Sequence, residues 1–309
     1  MKRVFGWVAL VVGLFLVLLV PLILLYSVPR ISKAPTDTDQ NVVSNGSATY
    51  FSAKQLQLVG PTAVQNIEVF KGDPPTSTAT VAVIHYTSHL VNRQTKASIS
   101  YDKETYAMDR NTGLAMNCCG ESPKMSGETV KFPFGTKKIT YQLWDPSANA
   151  SFPVHYARTE DLEGVTSYVL LGTSPKVQIG TIGLPNSLLG VQGQGLTTVP
   201  EWYQADTTVW VEPATGRVMK GAKHVHQWAG DQSGAPLLEL ADLRVQYSDA
   251  TVSYFVDQAK KDVKQLNLAK RGIPLGGGIV GLILTFLGLF LLREPRPRLK
   301  LDSVVPAPA

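Results

Sequence analysis

The sequence predicts a mainly β, α+β protein: a large antiparallel β domain with a juxtamembrane amphipathic helix, flanked by two transmembrane helices. Three observations predict this fold class. Apolar stretches without charge lie near both ends of the 309-residue chain, apolar and polar residues alternate between them, and one segment before the second stretch has apolar residues at helical spacing. The two apolar stretches are therefore predicted to be helices, and most of the segment between them, the middle block, is predicted to form β-strands.

The two apolar stretches are Val4–Leu25 and Ile273–Leu292, and neither contains Asp, Glu, Lys or Arg. At 1.5 Å of rise per residue they would form helices of roughly 33 and 30 Å, enough to cross the hydrocarbon core of a bilayer. The first stretch is longer than the apolar part of a signal peptide and has no small-residue cleavage pattern after it. We therefore predict an uncleaved transmembrane helix over residues 4–26 and a second one over residues 273–292.

Basic residues beside these stretches predict the orientation of the chain. Lys2 and Arg3 precede the first stretch, and four Lys and Arg residues follow the second within residues 293–300. Because cytoplasmic ends of membrane helices carry an excess of Lys and Arg, residues 1–3 and 293–309 are predicted to be cytoplasmic tails in the plasma membrane. A β domain over residues 27–250 and the amphipathic helix over residues 251–272 would then be extracytoplasmic.

Glycines recur at regular spacing in both apolar stretches. Gly6 and Gly13 are seven residues apart, as are Gly281 and Gly288, and Gly277 with Gly281 forms a small-xxx-small pair. Such glycines let two membrane helices approach closely, although glycine is also simply frequent in membrane helices. Neither stretch has an ionisable residue, which argues against an ion path through the helix pair.

Alternation of apolar and polar residues predicts the strands. A period of two is seen in Val81–Tyr86 and Ile139–Trp144, and the content of Val, Tyr and Leu also predicts strands in Val165–Leu170 and Leu238–Tyr247. No glycine-rich phosphate-binding motif follows any of them, and long helices do not alternate with them. An antiparallel sheet is therefore predicted rather than a parallel nucleotide-binding sheet.

The helical segment before the second apolar stretch is amphipathic. Its apolar residues follow a spacing of three and four from Thr251 towards Ala269, and its other side carries charged residues. We predict that its apolar stripe packs on the sheet, with a surface-lying helix as the alternative. Gly272 and Pro274 predict a break before the second membrane helix.

One turn motif occurs twice, and a degenerate third copy follows Leu143. Tyr106–Met116 resembles Val209–Met219, since in each an acidic residue ends one apolar strand and a Thr-Gly pair precedes the next. Proline can set the first turn residue and glycine can adopt left-handed φ, so these segments are predicted to be structural hairpins without chemistry. The predicted turn residues are Asp109, Gly113, Asp145, Pro146, Glu212, Pro213 and Gly216.

The only cysteines, Cys118 and Cys119, are adjacent. An even number of cysteines outside the cytoplasm suggests a disulfide, yet neighbouring Cα atoms are only about 3.8 Å apart, below the usual disulfide range. A vicinal bridge, free thiols and bridges between chains are all open. No Cys-x-x-Cys pattern is present, so redox catalysis is not indicated.

No residue pattern predicts catalysis or a cofactor. His224 and His226 share one face of a strand, but the neighbouring sequence offers no third metal ligand, so no metal site is predicted. Serine-nucleophile motifs and paired carboxylates are also lacking. The chain has 29 Lys and Arg against 24 Asp and Glu, and six of the basic residues lie in the tails, so the middle block lacks the basic stripe of a nucleic-acid binder.

An uncharged, glycine-rich segment, Ile179–Gly190, stands apart from the strands. It could form the lip of an apolar pocket or touch the outer leaflet, or it could be a buried irregular core segment. The lip residues would be Ile179, Ile182, Leu184, Leu188 and Leu189.

Several segments together resemble a known family. They are the anchor ending in Tyr26–Arg30, the entry Gly46–Phe51, Asp109–Gly120 with its Asn-Cys-Cys-Gly, Phe132–Gly135 with Tyr141–Pro146, Val211–Gly216, and the final glycine-rich span. Over essentially its whole length the chain is similar to the actinobacterial porin PorA family. This resemblance implies a cell-envelope protein and transfers no catalytic residue. The Val211–Gly216 hairpin also resembles hairpins of envelope lipoprotein carriers, whose curved sheets hold acyl chains.

We expect a non-enzymatic membrane protein whose β domain binds or hands on an apolar or lipid envelope component, or a partner protein. Its partners would be membrane lipid and such a ligand or envelope protein, with no nucleic acid. A porin or channel-associated protein and a structural envelope scaffold are the alternatives.

Overall fold

The computed structural model describes residues 1–293, so residues 294–309, which form most of the predicted C-terminal tail, lie outside the described residues. The chain divides into two compact units: one comprises residues 1–31 and the residues from 265 onward, and the other residues 32–264. The fold is mainly β, with a curled antiparallel sheet and two apolar helices. The predicted fold class is confirmed at this level.

The first unit contains the two apolar helices. Helix α1 (Lys2–Leu22) continues through a π-helical turn into the short α2 (Val28–Ile31). Helix α4 (Ile273–Leu292) is preceded by a second π-helical turn, Leu268–Gly272. By length and composition, each of the two helical stretches could cross a membrane.

The predicted break at Gly272 is wrong. Gly272 has a helical φ of −59°, and the π-helical turn leads directly into α4. Pro274 lies in the first turn of α4, directly after the π-helical turn. The helical backbone therefore continues through Gly272 and Pro274 into α4.

Helices α1 and α4 contact each other through glycine. A Cβ atom on Gly13 would lie 2.5 Å from the backbone nitrogen of Thr285, and one on Gly288 would lie 2.6 Å from the backbone nitrogen of Leu10. Gly281 in turn lies against the carbonyl of Gly13. The lack of side chains lets the two backbones touch.

Gly277 is an exception among the predicted contact glycines. No atom lies within 4 Å of the position where its Cβ would be, whereas Gly278 faces Val20. The contact residues of α4 include Gly278, Gly281 and Gly288, whose spacing of three and seven residues keeps them on one side of the helix. The prediction for Gly277 was therefore wrong, and Gly6 at the far end of the contact packs against Leu292.

The second unit is built on an eleven-stranded sheet among the described residues. Its strands are β1 (Asp39–Ser52), β2 (Gln57–Gly72), β3 (Val81–Asn92), β4 (Ser98–Asp109), β5 (Tyr141–Asp145), β6 (Ala150–Leu162), β7 (Val165–Thr173), β8 (Val177–Pro185), β9 (Leu196–Val211), β10 (Val218–Gly230) and β11 (Pro236–Tyr247). Their order is β4-β3-β2-β1-β11-β10-β9-β7-β6-β5, and β8 pairs with the first half of β9. All these pairs are antiparallel, as predicted.

The two edge strands, β4 and β5, are joined by the loop between them. Met116 donates its backbone N–H to Ala107 of β4 (2.8 Å), and Trp144 of β5 donates to Glu128 (2.9 Å). Within the loop, Ala115 donates to Gly127 (2.8 Å). These bonds pair the edges of the curled sheet, which would otherwise expose unpaired backbone groups.

Helix α3 (Asp249–Asn267) packs on the second unit with the predicted stripe. Val252, Phe255, Val256 and Ala259 are buried in a cluster that includes Val42 and other sheet residues. Each fully buried aliphatic or aromatic side chain contributes about 1.5–3 kcal/mol of hydrophobic stabilisation. On the polar side of the helix, Arg217 pairs with Asp262 at 2.6 Å.

A candidate ligand cavity inside the curled sheet

The inner face of the sheet lines a partly open cavity of about 200 Å³. Strands β1 to β6 and β9 to β11 contribute to its lining, which is more apolar than polar. Its larger apolar residues include Phe70, Tyr86, Leu143, Trp144, Phe152 and Tyr247. A concave, largely apolar space with a few polar groups is typical of small-molecule sites.

One side of this cavity is a row of aromatic side chains that strand register brings together. Phe70 on β2 lies opposite Tyr86 on β3, and their ring centroids are 5.0 Å apart. Tyr86 is followed across the sheet by Tyr106 on β4, with a centroid distance of 5.2 Å. Because side chains alternate between the two faces of a strand, this aromatic row lies on the inner face.

A buried ion pair lies beside the aromatic row. The Lys223 ammonium donates to Oδ1 of Asp145 at 2.7 Å, and the Tyr203 hydroxyl donates to Oδ2 of the same carboxylate at 2.7 Å. The Asp145 side chain is 1% exposed and that of Lys223 is 26% exposed. Burial disfavours the charge of Lys223, but the Asp145 carboxylate and the Tyr203 hydroxyl outweigh it and raise the pKa of Lys223.

A second carboxyl group, that of the half-buried Glu68, lines the same cavity. It accepts a hydrogen bond from the Tyr86 hydroxyl at 2.6 Å. Burial raises the pKa of Glu68 despite that bond, because removing a carboxylate from water disfavours its charged form. The cavity thus offers an apolar wall, an ammonium–carboxylate pair and a carboxyl group whose pKa is raised by burial.

Asp145 has a larger role than the predicted one. Its Oδ1 does accept the backbone N–H of Ser147 at 3.1 Å in the turn after β5, but the same side chain also holds Lys223 and Tyr203. Asp145 and Pro146 both line the cavity. Lys223 was missed in the sequence, although it occupies the inward phase of β10 with Val225, an unusual place for a charged residue.

The other predicted turn residues form two matching hairpins away from the cavity. Asp109 accepts backbone N–H groups from Asn111 and Thr112 at 2.9 and 2.7 Å. Glu212 accepts those of Ala214 and Thr215, both at 2.8 Å. The left-handed positions are Gly113 (φ +81°), Gly216 (φ +74°) and, in the third copy, Asn149 (φ +49°), and Pro213 follows Glu212 directly.

The Cys118 and Cys119 sulfur atoms are bonded as a vicinal disulfide in the structure. The pair lies between Met116 and Ser122 in the loop that joins the edge strands. Ser122 exchanges two backbone hydrogen bonds with Thr105 of β4. Neither cysteine lines the cavity. The disulfide thus lies beside the segment that pairs with the edge of the sheet.

The five predicted lip residues do not line this cavity. Ile179, Ile182 and Leu184 belong to β8, and Leu188 and Leu189 lie at the turn that follows. Leu184 is buried with residues of β9, β10 and β11, and Ile182 and Leu189 pack around it. Strand pairing separates them from the cavity. β8 pairs with the first half of β9, whereas residues 207–209, in the second half of β9, line the cavity.

The histidine pair lies on the opposite, outer face of β10. His226 is directly opposite Asp242 of β11, and the ligand atoms of His224, His226 and Asp242 all lie within 4.8 Å of one another. The third possible ligand that the neighbouring sequence lacks is therefore present in space. Sequence spacing did not show it, because Asp242 is brought in by strand pairing.

No curated protein matches this sequence. A family model described as Porin PorA matches residues 5–290, which include most of both apolar helices and all eleven described strands. The resemblance seen in the sequence is thus confirmed over nearly the whole chain. This protein belongs to the Porin PorA family.

Proposed function

We propose that this protein is a non-enzymatic, membrane-anchored envelope protein whose β unit binds a small amphipathic molecule, or one segment of a lipid, in the cavity of the curled sheet. The family name and the curled sheet fit a porin or channel-associated protein, and the two apolar helices fit a membrane protein. The proposal goes further in naming a site and a class of ligand.

The cavity carries the proposal. At about 200 Å³ it is somewhat larger than an apolar cavity of roughly 150 Å³ that accommodates benzene. It therefore suits a ring or a short alkyl segment with a polar group, and a complete long acyl chain would extend beyond it. The aromatic row would contact the apolar part, and Lys223, Asp145 and Glu68 would face the polar part.

Membrane anchoring is supported by the outward side chains of the helical unit. Trp7 and Phe15 of α1 are 59% and 61% exposed, and Phe286 and Phe290 of α4 are 68% and 73% exposed. Keeping such side chains in water would cost about 1.5–3 kcal/mol each, which a bilayer would remove. Two spans return the chain to the side on which it began, and the Lys2-Arg3 start favours cytoplasmic termini and an extracytoplasmic β unit.

The outer face of strand β1 is polar, which favours contact with water over contact with lipid. Ser44 lines the cavity, so Asn45, Ser47 and Thr49 of β1 face away from it. A transmembrane β-barrel instead presents an apolar band to the lipid. A pore through the sheet is therefore less favoured than a water-facing binding unit, and association with a channel formed by other chains is the second candidate, supported by the family name.

Binding can be tested on the full chain in detergent with three probes that share one alkyl chain, namely octanoate, octylamine and octanol. We expect saturable binding of at least one probe by calorimetry, with affinity that depends on the head group. Val245→Phe should fill the cavity and weaken binding at least tenfold, whereas Gln246→Phe, on the opposite face of the same strand, should leave binding unchanged.

Two results would reject the cavity as the binding site. One is failure of all three probes to bind a folded wild-type protein. The other is equal binding by the Val245→Phe and Gln246→Phe variants, provided that circular dichroism shows both to be folded. Conductance steps of the purified protein in planar bilayers would favour the channel alternative.

A further inference from the structure

We propose that His224, His226 and Asp242 form a binding site for one divalent transition-metal ion, such as Zn²⁺, on the outer face of the curled sheet. The site is distinct from the cavity and does not depend on it. Two imidazoles and one carboxylate are a common ligand set for Zn²⁺, with a fourth position left for water or another ligand.

Strand geometry places the three side chains on one surface. Lys223 and Val225 of β10 point inward. His224 and His226 alternate with them along the strand and therefore point outward. Asp242 of β11 is directly opposite His226 and diagonal to His224. The antiparallel register therefore brings together ligands that are 16 and 18 positions apart in the sequence.

The distances are close to those of a metal site. Nε2 of His224 lies 3.0 Å from Oδ1 of Asp242, and the rings of His224 and His226 have centroids 4.0 Å apart. Two ligand atoms of a tetrahedral zinc site, each bonded at about 2.0–2.1 Å, are separated by roughly 3.3 Å. One edge of the coordination polyhedron is thus already formed, and side-chain rotation within the 4.8 Å cluster can complete it.

The second nitrogen of His224 has its own carboxylate. Nδ1 lies 4.0 Å from Oδ2 of Asp206 on β9, and the other oxygen of Asp206 accepts the Thr173 hydroxyl at 2.6 Å. Histidines that bind metals through one nitrogen usually donate the other N–H to a carboxylate or carbonyl, which fixes the tautomer and the ring orientation. At 4.0 Å the two groups are not hydrogen-bonded, but a rotation of the Asp206 side chain, which is 62% exposed, would let it take that role and direct Nε2 of His224 towards the ion.

Exposure fits an open site rather than a closed structural one. The side chains of His224 and Asp242 are 22% and 33% exposed, so an ion can enter from solvent and keep a water ligand. Arg244 is the competing cation, with its Nε 3.7 Å from Oδ1 of Asp242. Its side chain is 66% exposed and can move away when an ion binds.

The test uses the tag-free full chain in detergent after removal of metal by chelation. Zn²⁺ is titrated by calorimetry, and Co²⁺ binding is followed by visible absorption, which reports nitrogen and oxygen ligands. We expect one ion per chain, and at least tenfold weaker binding for His224→Ala, His226→Ala and Asp242→Asn. Asp206→Asn should also weaken binding, by about tenfold or more, and Arg244→Gln should leave it equal or tighten it.

His85→Ala is the matched control. His85 also lies beside a carboxylate, with Nε2 3.3 Å from Asp73, but it has no second histidine in a ligand cluster among the described residues. Its loss should leave Zn²⁺ affinity unchanged. Wild-type affinity in a folded His224→Ala/His226→Ala double variant would overturn the proposal, as would an equal loss of affinity in His85→Ala.

Discussion

Lys223 and His224 are neighbours in β10 that meet opposite environments. Lys223 points into the curled sheet, where it pairs with a carboxylate that is 1% exposed. His224 points outward, where its partner Asp242 is 33% exposed. Because strand side chains alternate in direction, a single strand contributes a buried ion pair to one surface and a candidate metal ligand to the other.

The two faces differ in how much stability is lost when a charged side chain loses its ion-pair partner. A buried charge without its partner is strongly destabilising, whereas exposed ion pairs contribute about 0–1 kcal/mol because water solvates both groups. We therefore expect inner-face substitutions to act on stability and outer-face substitutions to act on binding. The following variants test that division.

The largest effect is expected for Lys223→Met, which leaves the buried Asp145 carboxylate without its ammonium partner. Such a change typically costs about 3–5 kcal/mol of unfolding free energy. Thermal unfolding of the full chain, followed by circular dichroism, measures it. The double variant Lys223→Met/Asp145→Asn should recover much of the loss, since it removes both charges. Lys103→Met, at an exposed residue of β4, is the control, and an equal loss there would contradict the assignment.

A smaller effect is expected for Tyr203→Phe. The change removes the hydroxyl that donates to Oδ2 of Asp145 and leaves that buried oxygen without this donor. An unsatisfied buried polar group costs about 1–3 kcal/mol. Tyr101→Phe, at a side chain that is 60% exposed, should change stability little, and the same unfolding measurement compares the two variants. Equal melting temperatures would show that Tyr203 contributes only its ring.

The raised pKa of Glu68 should be visible in the pH dependence of stability. Its folded-state pKa is raised by burial, so between about pH 4 and that pKa the folded protein binds more protons than the unfolded chain. Its contribution to stability is therefore greatest at low pH and falls as pH rises through this window. Glu68→Gln mimics the protonated group, so the variant should gain stability relative to wild type on going from pH 4 to pH 7. A constant difference between the two proteins across this range would refute the assignment.

Local patterns in the sequence predict much of this fold. A period of two predicts the strand in residues 81–86, and residue types predict the one in residues 165–170. The Asp109 and Glu212 turns follow from residues within four positions of each other. The amphipathic stripe of α3 is likewise visible in its own spacing. These features are short-range, and their signal is contained in the segment that forms them.

The sites depend on pairing that local patterns do not specify. Asp145 and Lys223 are 78 positions apart, and a turn residue becomes an inner-face ion-pair partner only when the sheet curls. Asp242 reaches the histidines through the β10–β11 register, and Gly278 faces α1 through the rotation of α4. A one-residue change of register would turn a whole strand around, so these contacts require the tertiary structure.

The smallest effect on intrinsic stability is expected for His226→Ala. In the presence of a chelator its outer-face change should alter the unfolding free energy by no more than about 0.5 kcal/mol, unlike Lys223→Met. Added Zn²⁺ should separate the two proteins, because an ion that binds only the folded chain stabilises it by about 2.7 kcal/mol at a hundred times its dissociation constant. Wild type should therefore gain melting temperature with Zn²⁺ and His226→Ala should gain less. An equal gain would mean that the stabilising ion binds elsewhere, and a large loss without Zn²⁺ would mean that the outer face also holds the fold together.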